Sequence, residues 1–277
     1  MRGFLNTCRD LWKDPMGKIS IVGVLLLIGV AIFAPLIAPY TFDEIGMRFQ
    51  APSPEHLFGT DKFGRDIFSR VVYGARVSLE VGIIAVGIGA CFGYILGMIS
   101  GFFEGWVDRV IMCCMDVLFA FPSILLAIFI SAVLGKGIGP TMMAIGIVNI
   151  PVFCRTVRAA VISAKRLEYV KNAKSVGVKT PQILIRHISP NVIAPFTVQA
   201  TLALSGAILT EATLSFLGMG IQPPSPSWGS MLSEARVDMT RASWGVLFPL
   251  LLIVVTILIF NILGDTLRDT LDPKLKV

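Results

Sequence analysis

The feature that most restricts what this chain can become is a set of long segments without a charge. Residues 19–38, 81–103, 117–134, 138–154, 192–210 and 244–263 contain no Asp, Glu, Lys or Arg. In hydrocarbon no water is available to the backbone, so a run of about 20 apolar residues is satisfied by closing into a membrane-spanning helix. Six such runs predict an all-α integral membrane protein with six transmembrane helices and both termini on one side. Composition agrees. The chain is 55% hydrophobic and 15% charged, against about 45–50% and about 25% in soluble domains. The run at 19–38 exceeds the apolar core of a signal peptide, about 7–15 residues, and is read as an uncleaved span.

Lys and Arg set the orientation, because they accumulate in cytoplasmic loops. With the N-terminus inside, sixteen of the 24 fall in inner segments, eight of them between Arg155 and Arg186. The expected layout is therefore a cytoplasmic segment 1–18, a first span 19–38 and an extracytoplasmic loop 39–76. A five-helix core 77–264 follows, with an inner loop 155–191 and an outer loop 211–243, then a cytoplasmic tail 265–277. This topology explains the net charge of +6 better than nucleic-acid binding does, and membrane lipid is the expected surrounding.

The inner loop carries EYVKNAKSVGVKTPQILIRHISPN, residues 168–191. Tyr169, Val170, Ala173 and Val176 recur at helical spacing as one apolar stripe. Gly177 suits a left-handed helix stop. Thr180 and Pro181 read as an N-cap and a helix-opening proline. A short rod with one apolar face suits a groove on a soluble partner. The segment resembles the coupling loop of binding-protein-dependent ABC importer permeases, described as E-A-A, three residues, G, nine residues, I-x-L-P. Counted back from Pro190, its glycine falls on Gly177 and its second alanine on Ala173. Lys171, Asn172, His187 and Ser189 stand in the slots for Glu, the first Ala, Ile and Leu.

Three further segments narrow the resemblance to the dipeptide, oligopeptide and nickel subfamily, as its second, C-type permease. Gly59, Thr60, Asp61, Gly64, Arg65, Asp66, Ser69 and Arg70 match G-T-D-x-x-G-R-D-x-x-S-R. From the residues alone, the alternating charges there read as a solvated, partly helical segment. Residues 216–229 match F-L-G-x-G-x-x-P-P-x-P-S-W-G; Pro223, Pro224 and Pro226 forbid a continuous helix, and Trp228 is a type that anchors at interfaces. The tail resembles G-D-x-L-R-D-x-L-D-P, with Asp265, Arg268 and Asp269 at pairing distance along a helix.

The resemblance implies a type I importer permease fold in a prokaryotic inner membrane, and a non-catalytic subunit importing dipeptides or oligopeptides. It further implies a homologous second permease, two ATPase subunits carrying ATP and Mg, and an extracytoplasmic solute-binding protein. Glu168, Tyr169, Val170, Ala173, Val176, Gly177 and Pro190 would couple to the ATPase. Asp61, Arg65, Asp66, Pro223, Pro224 and Trp228 would lie at the outer mouth. The same signatures also serve nickel chelates and glutathione.

The chain has no phosphate loop, no H-E-x-x-H and no G-x-S-x-G, so no cofactor or metal is expected on it. Its five cysteines read as packing residues. Glu80, Asp116 and Glu211 stand at the edges of apolar runs, where interface placement or an ion pair is expected; Glu211 is the candidate if one lines a pathway. Gly89, Gly93, Gly97 and Gly101 form a smooth stripe that fits helix packing within the chain or a subunit interface. An ion-coupled secondary carrier is the alternative of another class, but mid-span charges and symmetric halves are missing.

Overall fold

The structure is a computed structural model describing residues 11–271, and its regular elements are helices. Helix α1, Pro15–Ile32, starts where the Asp14 carboxylate accepts from the Gly17 N–H at 2.9 Å. It breaks at Phe33 before a single turn, Ala34–Ile37. Pro35, which lacks an N–H and crowds the preceding turn, accounts for the break inside the predicted span.

Helix α2, Ile67–Phe103, has 37 residues and is about 55 Å long, against about 30 Å of hydrocarbon. That excess leaves room for its first turns in the predicted outer loop 39–76, whose irregular part ends at Asp66. Helix α5, Ile138–Lys165, lies along α2 in the same direction. The glycine stripe is the seam between them. A methyl group at Gly89 would meet Asn149 Cβ at 2.7 Å, at Gly97 Val157 Cβ at 2.7 Å, and at Gly101 Val161 Cβ at 2.8 Å. The stripe therefore packs within the chain.

Two parallel neighbours require the chain to return between them. The return is made by α3, Gly105–Phe119, and α4, Ser123–Leu134, bent by 90°. The 12 residues of α4 reach only about 18 Å, so neither half spans alone. The third passage thus starts at Gly105, well before the predicted span 117–134, and is broken near the start of that span. Pro122 is the reason: it cannot donate to the helix and its ring excludes the carbonyl one turn back.

The next chain reversal holds short helix α6, Glu168–Ser175, one turn at Thr180–Ile183 and a π-turn at Leu184–Ile188. Helix α7, Ser189–Phe216, returns outward. Gly137 N–H donates to Gly220 O at 3.2 Å, so α4 and α7 end on the same side. Short outer helix α8, Trp228–Ala235, precedes the last span α9, Trp244–Leu271. The predicted tail thus begins as a continuation of α9, and its last residues lie outside those described. The broken pair makes the sixth passage.

Helices α2 and α7 hold the bundle together. Val81, Ala85, Ile145, Phe153, Ala207 and Leu214 form one core, and Leu27, Leu79, Ile208, Trp228, Ile253 and Phe260 a second. A third joins Met98, Val157 and Val161 to the inner reversal through Val170, Ile183, Ile188 and Val192. Arg155 pairs with Asp116 at 2.6 Å and Arg158 with Asp108 at 2.6 Å, tying α3 to α5.

Candidate functional site

The inner reversal is built to hold a short helix rigidly while leaving part of it bare. Helix α6 opens with Glu168, whose charge suits the positive end of the helix dipole. It closes at Gly177, φ +84°. Val178 N–H donates to Ala173 O and Gly177 N–H to Lys174 O, both at 3.1 Å. This bond pair with a left-handed residue is the Schellman stop. The following turn is capped by Lys179 and starts at Thr180, one residue earlier than the sequence suggests.

The predicted stripe divides. Val170 is 4% exposed and sits in the chain's own third core, so it anchors α6 and offers nothing to a partner. Ala173 is partly buried, while Tyr169 and Val176 remain 45% and 84% exposed. Leu167 and Ile185 add two exposed apolar side chains that the sequence reading missed. Ile185 lies in a stretch whose π-turn hides its facing from a 3.6-residue count. Exposed apolar groups gathered outside a membrane mark a docking surface.

Tyr169 also ties α6 to the start of α7. Its hydroxyl donates to His187 O at 3.1 Å and accepts from Asn191 Nδ2 at 2.6 Å. Exposed Pro190 lacks the N–H that an α-helix would use. The preceding π-turn takes up that defect, with Ser189 N–H donating to Leu184 O.

On the outer side the charged motif is folded inward, contrary to its reading as a solvated segment. Gly59 and Gly64 take φ of +73° and +85°. Thr60 Oγ1 donates to Met47 O at 2.7 Å. Asp61 accepts from Phe63 N–H at 2.8 Å and from Arg65 Nε at 2.6 Å. Arg65 reaches Glu234 of α8, and Arg70 meets the same carboxylate at 3.1 Å. Asp66 caps α2 by accepting from Ser69 N–H at 2.7 Å, and it faces His56 Nδ1 at 2.9 Å. Arg65, Asp66 and Arg70 are all buried. Their contacts fasten loop 39–66 onto α8; they do not present charge to a partner.

The other outer residues separate likewise. Pro223 and Pro224, joined by a cis peptide bond, are exposed. Trp228 is fully buried against Gly74, and its Nε1–H donates to Val71 O at 3.0 Å. It is a core residue and not an interfacial anchor. Glu211 is fully buried as well and faces no open pathway. Its carboxyl group accepts from Ser78 Oγ at 3.0 Å and Ser215 Oγ at 2.8 Å, while Ser215 Oγ accepts from Ile221 N–H at 3.0 Å. Glu211 thereby pins α2, α7 and the loop after α7 at one point. Of the other edge acids, Asp116 is ion-paired and Glu80 is exposed.

A polytopic helical bundle with a short, partly exposed helix on the face predicted to be cytoplasmic defines a multi-pass membrane subunit. Residues 93–277 match the model of the binding-protein-dependent transport system inner membrane component, and 6–52 match the N-terminal TM domain of oligopeptide transport permease C. The chain belongs to the binding-protein-dependent ABC importer permeases. It is 50% identical over 274 residues to the dipeptide transport system permease protein DppC of Alkalihalophilus pseudofirmus, covering 97% of this chain and 90% of that one. It is 49% identical over 272 residues to the glutathione transport system permease protein GsiD of Escherichia coli, covering 97% and 89%. In the solved inward-facing MetNI methionine ABC transporter, one chain has a TM-score of 0.59 at 15% identity, covering 73% of this chain and 96% of that one; this likeness bears on the fold alone.

The protein is thus a non-catalytic, multi-pass inner-membrane permease subunit, with ATP hydrolysis on a separate subunit. Family membership implies ATPase and permease partners and a substrate-binding protein.

Proposed function

We propose that this chain is the C-type permease of a prokaryotic importer for dipeptides or short oligopeptides. It pairs with a homologous second permease above two ATPase subunits that bind ATP and Mg, and it receives solute from an extracytoplasmic binding protein. The observation that carries the coupling role is α6: Val170 fixes it in the permease core, while Tyr169 and Val176 are exposed, as are Leu167 and Ile185 of the same reversal. ATPase closure would move α6, and the third core would pass that movement to α2 and α5. Glutathione is itself a tripeptide, and the likeness to GsiD supports it as the second reading.

The test is ATP-driven uptake by the assembled transporter in vesicles, with the binding protein and labelled di-, oligopeptide or glutathione. Gly177→Val forces a β-branched residue into the left-handed region, at about 1–2 kcal/mol, with no neighbour within 4 Å for the new side chain to strike. It should leave the chain in the membrane and cut uptake several-fold. Normal uptake by that variant would sink the role given to α6. Transport of none of the three solutes by the wild type would sink the substrate reading alone.

A further inference from the structure

Beside α6, on the flank away from Tyr169 and Val176, a groove opens between the inner end of α2 and the reversal. Its lining combines the apolar Phe102, Phe103 and Val178 with the cationic Lys165, Lys171 and Lys174. Lys165 is already engaged, donating to Phe102 O at 2.6 Å and lying 3.3 Å from Glu104. Lys171 and Lys174 are exposed and have no ion pair among the described residues. Phe103 and Trp106, 55% and 75% exposed, stand at the turn where α2 leaves the membrane. Exposed aromatic rings at a span end mark the level of the lipid headgroups. By that rule the expected place of the groove is beside the headgroup layer of the inner leaflet.

We infer that this groove is a binding site for an anionic phospholipid, its phosphate held by Lys171 and Lys174 and the upper part of an acyl chain resting on Phe102 and Phe103. Cationic side chains beside a membrane attract anionic headgroups. An acidic segment of the ATPase would complement the lysines but would leave the exposed Phe103 ring without a use. A phospholipid matches both. The site would make the seating of α6 sensitive to the inner leaflet, because Lys171, Val170 and Lys174 all border the groove.

The experiment places the assembled transporter in nanodiscs of phosphatidylcholine containing one-tenth phosphatidylglycerol. Retained lipid is then counted by native mass spectrometry on every species containing this chain, with or without the ATPase. The wild type should be enriched in phosphatidylglycerol over the disc. Each of Lys171→Gln and Lys174→Gln should reduce that enrichment about fivefold, whereas Arg186→Gln, an exposed cation outside the groove, should not. No enrichment in the wild type, or equal loss with Arg186→Gln, would overturn the site. So would Lys171→Gln and Lys174→Gln variants that shed the ATPase while keeping phosphatidylglycerol, since that result assigns the lysines to the protein partner.

Discussion

Val170 and Val176 are the same residue type on one short helix, yet they differ in burial, at 4% and 84% exposure. Their variants should therefore fail differently. Val170→Ala removes buried methyl groups and should destabilise the detergent-purified permease by about 1–2 kcal/mol. Val176→Asp should leave its thermal midpoint unchanged and lower recovery of the ATPase in a pull-down. A Val176→Asp permease that retains the ATPase fully would remove Val176 from the docking surface. Glu211 offers a second contrast. Glu211→Gln keeps one acceptor oxygen and turns an NH2 donor toward the other serine oxygen, so it should be the milder change, whereas Glu211→Leu orphans both hydroxyls and should cost about 1–3 kcal/mol each. Equal melting of the two variants would show that the serine contacts contribute little. Spacing made Tyr169 and Val176 legible as one stripe. It gave no hint that Val170, also on that stripe, turns into the core, because an eight-residue helix packed on one flank can bury a position at the edge of its apolar arc. Trp228 misled for a related reason: its residue type suggests an interface, but only the neighbouring Gly74 makes room to bury it.

The elements were legible where composition decides and obscure where backbone chemistry does. Charge-free runs located every passage, but they began the third at 117 and so left most of α3, Gly105–Phe119, in the inner segment. The apolar Ala120–Phe121–Pro122 corner carries no polar signal, and only the proline marks it. The charged motif at 59–70 was the reverse case. Its alternating signs suggested solvation, although Asp61, Arg65, Arg70 and Glu234 satisfy one another across 164–169 residues of chain, a partnership invisible to local reading. The α2–α5 seam yields a test at this scale. Gly97→Val would drive a branched side chain into Val157, whose Cβ lies 2.7 Å from the first added atom. Overpacking of that kind costs about 1–3 kcal/mol. The variant should lower the melting temperature by several degrees, and a simultaneous Val157→Ala should restore part of it. Failure of the second change to help would place the conflict elsewhere.

For the whole molecule, the parallel course of α2 and α5 calls for a return passage between them, so the bent pair counts as one span and the described helices make six, the number of charge-free runs. It also fixes which reversals share a face. Ser175→Cys on α6 should react with a membrane-impermeant maleimide only after the inner side is opened, and Lys62→Cys should react in intact cells. Native thiols Cys91, Cys113 and Cys114 are exposed on the isolated chain, so they are first replaced by serine. Labelling of both new cysteines from the same side would refute six passages.

The glycine seam has a mechanical consequence. Two helices in backbone contact over Gly89 to Gly101 cannot shear past one another without driving Asn149, Val157 and Val161 out of their seats. They bend and tilt as a single beam. One end of that beam is clamped to α6 by Val170, and the other carries the fastened outer loop and α8. A push at the inner face is therefore delivered to the outer face as a rigid lever stroke, with little lost as strain along the way.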